Sequence, residues 1–198
     1  MIEKNRAVFL DRDGTINVEK NYLYRCDEFS FLPGVPQALK RLQKAGFLLV
    51  VVTNQSGVAR GYYTLHNVET LHIYMQQLLQ EFGVDVSGIY VCPHHPDGVK
   101  GGPFSLSCDC RKGRPGLLLK AAKELEVDLS QSYMIGDKLS DIEAGHRAGC
   151  ASLLIASEPD QWLNSDLPEY CEGIFPGLEE AANHLLETEC FKTSDGSA

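Results

Sequence analysis

Five stretches of the chain are almost unbroken apolar runs: AVFL at 7–10, FLLVVVT at 47–53, GIYVC at 88–92, SYMIG at 132–136 and ASLLIA at 151–156. Continuous runs, as opposed to alternating ones, are the mark of parallel strands buried on both faces. Between them the period becomes helical. In VPQALKRLQKAG, Val35, Leu39 and Leu42 share a face, Pro36 suits a first turn, and Gly46 suits the C-terminal stop. TLHNVETLHIYMQQLLQEFG offers Thr64 as N-cap before an inward stripe of Leu65, Val68, Leu71, Met75, Leu78, Leu79 and Phe82. PGLLLKAAKELEV, KLSDIEAGHRAG and LEEAANHLLE supply three further helices.

Strand–helix alternation of this kind predicts an α/β fold, a Rossmann-like three-layer sandwich around a mostly parallel sheet with right-handed crossovers. Residues 1–190 are expected to form one domain, and the polar end of the chain, 191–198, a mobile tail. Residues 18–33 and 93–114 do not fit the alternation. The second stretch, PHHPDGVKGGPFSLSCDCRKGR, is too rich in glycine and proline for an ordinary connection, and such loops are usually functional. No segment is long enough for a large cap domain.

Composition narrows the partners. The chain has 198 residues, enough for one well-buried domain, with 43% hydrophobic and 23% charged residues. A net charge of −9 argues against broad contact with nucleic acid or anionic lipid, though not against a small anion met by local positive charge. No window reaches the roughly 18 apolar residues of a membrane helix. The first residues, MIEKNRAVFLDRDG, lack the apolar run of a signal peptide. Seven cysteines, an odd number, then point to a reducing compartment, where clustered thiols are metal ligands or core residues more often than disulfides. A monomer is the default expectation.

Ligands of open α/β sheets bind outside the carboxyl ends of the strands. Asp11 and Asp13 follow the first run, Thr53, Asn54, Gln55 and Ser56 the second, and Asp137 and Lys138 the fourth; Lys112 precedes the helix leading into the fourth. Each feature alone has an ordinary explanation: Asp-Gly is a common turn pair, and Asp after a glycine can cap a helix. Together they suit phosphate monoester hydrolysis, whose slow uncatalysed rate demands acceleration of up to about 10²¹-fold. Asp11 and Asp137 can hold Mg²⁺, and Asp11 can attack phosphorus to form an aspartyl-phosphate. Asp13 can protonate the departing oxygen and later take a proton from water. Thr53 and Lys112 can stabilise the phosphoryl oxygens.

FLDRDGTIN, VVTNQSG, the lysine of CRKGRPG, and MIGDKLSDIEAG resemble the four ordered motifs of the haloacid dehalogenase superfamily of phosphatases. The resemblance spans about residues 6–157. More narrowly, TNQSGVARG, CPHHP, CDCRKGRPG and YMIGDKLSD resemble its heptose-bisphosphate branch, whose relatives are the histidinol-phosphate phosphatases. It implies Asp11 as nucleophile, Asp13 as general acid/base, Thr53 and Lys112 on the phosphoryl group, and Mg²⁺ held by Asp11, Asp13 and Asp137. Substrate contacts would come from Glu19, Lys20, Asn21 and Tyr22, from Thr53, Asn54, Gln55 and Ser56, and from Arg111, Lys112 and Lys138. The implied substrate is a small sugar bisphosphate losing its C7 phosphate, in a cytoplasmic step towards activated heptose for surface polysaccharide. Histidinol phosphate is the alternative substrate.

Cys92-Pro-His94 and Cys108-Asp-Cys110 form two pairs with one intervening residue each. In extended chain, positions i and i+2 point the same way, so each pair can present two ligands to one ion. Three thiolates and one imidazole make a tetrahedral structural Zn²⁺ site, with His95 a rival for His94. The loop has few aliphatic residues to fold around, which favours metal as its staple. Buried thiols are the ordinary alternative, and a non-catalytic zinc module binding a partner is the alternative function. Cys26, Cys150, Cys171 and Cys190 lack partners at ligand spacing. His66 and His72 read as solvated or packed on their helix, and His146 has no evident role. Asp141 can orient a metal-bound water or favour the start of its helix, and Arg60 can assist a second phosphate or pair with a surface acid.

Overall fold

The computed structural model describes residues 4–159 and 167–195. Six parallel strands form one sheet in the order β3-β2-β1-β4-β5-β6. They are β1 (Arg6–Leu10), β2 (Phe47–Asn54), β3 (Gly88–Cys92), β4 (Tyr133–Gly136), β5 (Ala151–Ile155) and β6 (Gly173–Phe175). The helices are α1 (Val35–Lys44), α2 (Leu65–Glu81), α3 (Gly116–Glu124), α4 (Leu139–Ala148) and α5 (Leu178–Asp195).

The unbroken apolar runs follow from burial on both sides. Val8, Leu10, Leu49, Val51 and Ile135 pack with Leu39 and Leu42 of α1, Leu71 and Met75 of α2, and Leu185 of α5. The alternate residues Ala7, Phe9, Val50, Val52 and Met134 pack with Leu117, Leu118 and Ala121 of α3 and Ala144 of α4. This is the expected three-layer sandwich.

The structure departs from the pattern at chain segments where periodicity carries little information. Strand β6 has only three residues, too few for a recognisable run. Leu65 and Phe82, expected on the inward stripe of α2, are exposed because they sit at its first turn and just past its last, beyond the sheet it covers. Thr64 does cap α2, accepting from the Asn67 amide at 3.2 Å. Helix α5 continues through 191–195, the first part of the expected tail; 196–198 lie outside the described residues. Among the described residues, no helix is long and apolar enough to cross a membrane.

Connections from β1 run to β2 on one side, whereas β4 leads to β5 on the other. The neighbours β1 and β4 therefore flank the point where strand order reverses, which is where open α/β sheets bind ligands.

Candidate active site

Asp11 leaves the end of β1 and Asp137 the end of β4, and the Asp11 amide still donates to the Ile135 carbonyl at 3.0 Å. The carboxylates of Asp11, Asp137 and Asp141 each offer an oxygen within 4.8 Å of the others. Lys112 Nζ lies 2.5 Å from Asp11 Oδ1 and 2.9 Å from Asp141 Oδ1, with its side chain almost wholly buried. Burial works against the ammonium charge, but Asp11 and Asp141 outweigh it and hold Lys112 above the usual lysine pKa. Burial, then the nearby Asp11 charge, push Asp137 up to about 7. Asp137 Oδ1 is buried without a hydrogen-bond partner. Crowded carboxylates with an orphaned oxygen fit a hard divalent cation, which Mg²⁺-type sites bind through one or two carboxylates plus water and phosphate.

Local backbone makes room for this cluster. Gly14 has φ +87°, and a Cβ there would sit 2.4 Å from Asp137 Oδ2. At Gly136 a Cβ would meet Asp141 Oδ2 at 2.3 Å. Asp141 itself combines two contacts: Oδ2 accepts from the Lys138 amide at 3.1 Å at the start of α4, and Oδ1 faces Lys112. Oδ2 is thus taken by the helix start, whereas Oδ1 has the ion pair with Lys112 and no hydrogen bond.

Asp13, expected among the Mg²⁺ ligands, does not add its carboxylate to the cluster. The side chain is held by Arg12 Nη2 at 2.7 Å and 3.0 Å, by Asn17 Nδ2 at 3.0 Å and by Gln55 Nε2 at 2.9 Å. With Arg12 Nε also 3.2 Å from Oδ1, five donor contacts engage the carboxylate, and the cluster of oxygens that could share one ion is Asp11, Asp137 and Asp141. Burial opposes the Asp13 charge, but Arg12 and these donors prevail and keep its pKa below the ordinary value.

The second strand end is coupled to the first. Gln55 Nε2 donates to Thr53 Oγ1 at 2.9 Å as well as to Asp13, and Tyr63 Oη donates to Gln55 Oε1 at 2.7 Å. Asn54 Oδ1 accepts from the Lys112 amide at 3.0 Å. A cleft of about 60 Å³ is lined by Asp11, Asp13, Glu19, Thr53, Asn54, Lys112, Lys138, Ser140 and Asp141. Lys138 Nζ reaches both Glu19 and Asp137 at 3.5 Å. Lys20, Asn21 and Tyr22 are exposed on the adjoining loop, with Asn21 and Tyr22 in left-handed backbone, φ 49° and 73°. Ser56 and Arg111 lie outside the cleft lining.

Cys92, His94, Cys108 and Cys110 converge. Neighbouring ligand atoms are 3.2–3.8 Å apart, with His94 Nδ1 facing the thiols. Such edges are mostly somewhat shorter than the ~3.8 Å of a tetrahedron with metal–sulfur bonds of about 2.3 Å, and an ion would spread them slightly. Burial pushes the Cys92 thiol pKa up, so a metal rather than the protein would have to draw off its proton. His95 faces elsewhere, accepting from the Asp97 amide at 3.0 Å beside Arg60. Arg111 Nη1 donates to the His94 carbonyl at 3.3 Å, and the Gly113 amide to the Ser140 carbonyl at 2.8 Å, so one flank of Lys112 is tied to the Cys/His loop and the other to α4.

No motif or spacing singles out Arg12, Tyr63, Asn17 or Ser140, and His72 reads from sequence only as solvated or packed on its helix. Arg12 is wholly buried, and its guanidinium meets His72 of α2. A positive charge between two aspartates was the available signal. His146 is exposed and stacks on Tyr170 with ring centres 4.0 Å apart.

Residues 109–166 match a family model described as HAD-hydrolase-like. A Haemophilus ducreyi protein, D-glycero-beta-D-manno-heptose-1,7-bisphosphate 7-phosphatase, is 50% identical over 145 residues, covering 73% of this chain and 79% of that one. The enzyme of the same name from Escherichia coli K12 is 50% identical over 149 residues, 75% and 78% of the two chains. The chain belongs to this phosphatase family of the haloacid dehalogenase superfamily. A solved family structure, D,D-heptose 1,7-bisphosphate phosphatase from B. bronchiseptica complexed with magnesium and phosphate, superposes with a TM-score of 0.80 at 34% identity, over 92% of this chain and 99% of that one. Membership makes the protein a phosphoric monoester hydrolase, and family members of this kind work with magnesium.

Proposed function

We propose that the protein hydrolyses the C7 phosphate of D-glycero-D-manno-heptose 1,7-bisphosphate, taking the β anomer named for its relatives and leaving the 1-phosphate. The observation that carries this reading is the Asp11 carboxylate, placed at a strand end between Lys112 and the Asp137 carboxylate. Asp11 Oδ attacks phosphorus as the bond between phosphorus and the C7 oxygen breaks, and Asp13, which must first take up a proton against its resting ion pair with Arg12, gives that proton to the departing oxygen. Asp13 then takes a proton from water, whose oxygen attacks phosphorus and frees Asp11 along with phosphate. Thr53 and Lys112 donate to the non-bridging oxygens while charge develops. Asp11 and Asp137 would hold Mg²⁺, which supplies charge neutralisation when bound.

Glu19, Lys20, Asn21, Tyr22, Asn54, Gln55, Ser56, Arg111 and Lys138 contact the sugar and its second phosphate. Zn²⁺ on Cys92, His94, Cys108 and Cys110 is structural: it fixes Cys110, next to Arg111 and Lys112, and so aims both cations. The enzyme acts as a cytoplasmic monomer, with 1–190 as its single domain. Turnover of the heptose bisphosphate and of histidinol phosphate, measured in parallel with both heptose anomers, tests the reading. The heptose compound is expected to lead; a preference of about tenfold for histidinol phosphate, ~1.4 kcal/mol in transition-state binding, overturns it.

A further inference from the structure

A wholly buried guanidinium needs its donors satisfied, because an unpaired buried charge is costly. Arg12 meets this need in two directions. Its Nε and Nη2 grip Asp13, with Nε 3.2 Å from Oδ1 and Nη2 2.7 Å from Oδ2, and Nη2 also donates to the Leu23 carbonyl at 3.2 Å. Its Nη1 donates to His72 Nε2 at 3.0 Å. His72 sits on the buried face of α2 beside Leu71 and Met75, where a plain core residue would otherwise pack. We propose that His72 and Arg12 are positioning residues for proton transfer: the imidazole holds the guanidinium, which fixes the direction of the Asp13 carboxyl towards the leaving oxygen.

The acceptor role requires an unprotonated Nε2. Burial, followed by the Arg12 charge, lowers His72 to about 3, so the ring accepts throughout the neutral range. On the far side of Asp13, Gln55 bridges to Thr53, and Tyr63 in turn fixes Gln55. Asp13 is thereby clamped between α2 and the end of β2. Removing the acceptor at 72 frees one side of that clamp while leaving Asp11, Lys112 and Asp137 untouched.

The inference rests on Asp13 as the general acid, and the leaving group offers a readout specific to that role. Breaking the P–O bond to an alkyl carbon transfers the Asp13 proton to the alkoxide oxygen. Breaking the bond to p-nitrophenyl releases a phenolate that is stable without that proton. His72→Met is expected to lower kcat/KM for heptose bisphosphate by about tenfold or more, with KM little changed, and kcat/KM for p-nitrophenyl phosphate by much less. His72→Gln, whose amide oxygen can accept from Arg12, is expected to restore most of the loss. If His72→Met melts below the assay temperature, Arg12→Lys, which keeps the charge but loses the fork, is expected to give the same leaving-group selectivity. Equal losses on both substrates in these variants, with a selective loss in Asp13→Asn, overturn the positioning role and leave the Asp13 assignment standing. No selectivity in Asp13→Asn overturns both.

Discussion

Asp141 Oδ1 lies 2.9 Å from Lys112 Nζ, and both side chains are almost fully buried. Asp141 thus helps to hold a lysine that contacts Asp11, although it follows Asp137 by four residues and reads in sequence either as the orienter of a metal-bound water or as a helix-start acid. Asp141→Ala is expected to cost about 3–5 kcal/mol in urea unfolding, the range for breaking a buried pair, and to lower kcat. Asp141→Asn, which keeps an oxygen for the Lys138 amide, is expected to cost less. Unchanged unfolding in both would mean that Lys112 is held by Asp11 alone.

Asp11→Asn removes the attacking oxygen's charge at a position already packed by Lys112. Phosphate release is expected to fall by more than about 10³-fold, with a cooperative thermal transition and the zinc content retained even though one counter-charge of Lys112 is lost. The same variant separates an enzyme from a zinc module, because a module would be indifferent to it.

At Gly14 two constraints coincide, a left-handed φ and a Cβ position occupied by the Asp137 carboxylate. Gly14→Ala is expected to add about 1–2 kcal/mol of backbone strain and to displace Asp137. A magnesium titration of initial rates should then show the half-saturating concentration raised by about 10–100-fold, as for other changes that disturb metal-ligand orientation. Saturating magnesium should recover much of the rate.

The Cys/His cluster and the catalytic cleft are joined through a few residues of chain. Elemental analysis is expected to find zinc bound to the purified protein. Cys110→Ser should abolish retention and lower activity by about tenfold or more in a way that added magnesium does not repair. Full activity in a zinc-free protein would show that the Gly113–Ser140 and Lys112–Asn54 contacts suffice to aim the lysine.

His72 gives the fold an acid limb. Its pKa of about 3 in the folded chain lies below the unfolded value near 6.5, so the unfolded chain binds the extra proton first as pH drops. Stability from this group is therefore complete above about pH 6.5 and is lost progressively down to about pH 3, with a slope of up to ~1.4 kcal/mol per pH unit. Urea unfolding across that range should show a shallower decline in His72→Gln than in the unmodified chain.

The parts legible in the sequence are those fixed by local order. Asp11 and Asp137 stand just after apolar runs, so strand ends locate them without knowledge of packing. Cys92, His94, Cys108 and Cys110 announce themselves by i, i+2 spacing. Arg12–His72 is different, because that contact spans 60 positions and depends on how α2 rotates over β1, which periodicity leaves open. The same holds for Asp13, whose carboxylate direction is decided by Asn17, Gln55 and Arg12 rather than by its place in the motif. Strand β6 was hidden by its brevity, and the exposed ends of α2 by an apolar stripe that outruns the sheet.

Asp11 and Asp137 are carried by hydrogen-bonded neighbours, with Leu10 opposite Ile135 in the ladder. Their separation is therefore dictated by main-chain pairing, whereas the residues around the mouth ride on the irregular stretches 18–33 and 93–114. Bond-breaking and substrate choice are inherited on different scaffolds. Exchanging 18–33 and 95–107 with those of another phosphatase built on this sheet, with Lys112 and the Cys/His ligands kept, should retarget the protein to a new phosphate ester without rebuilding the chemistry beneath.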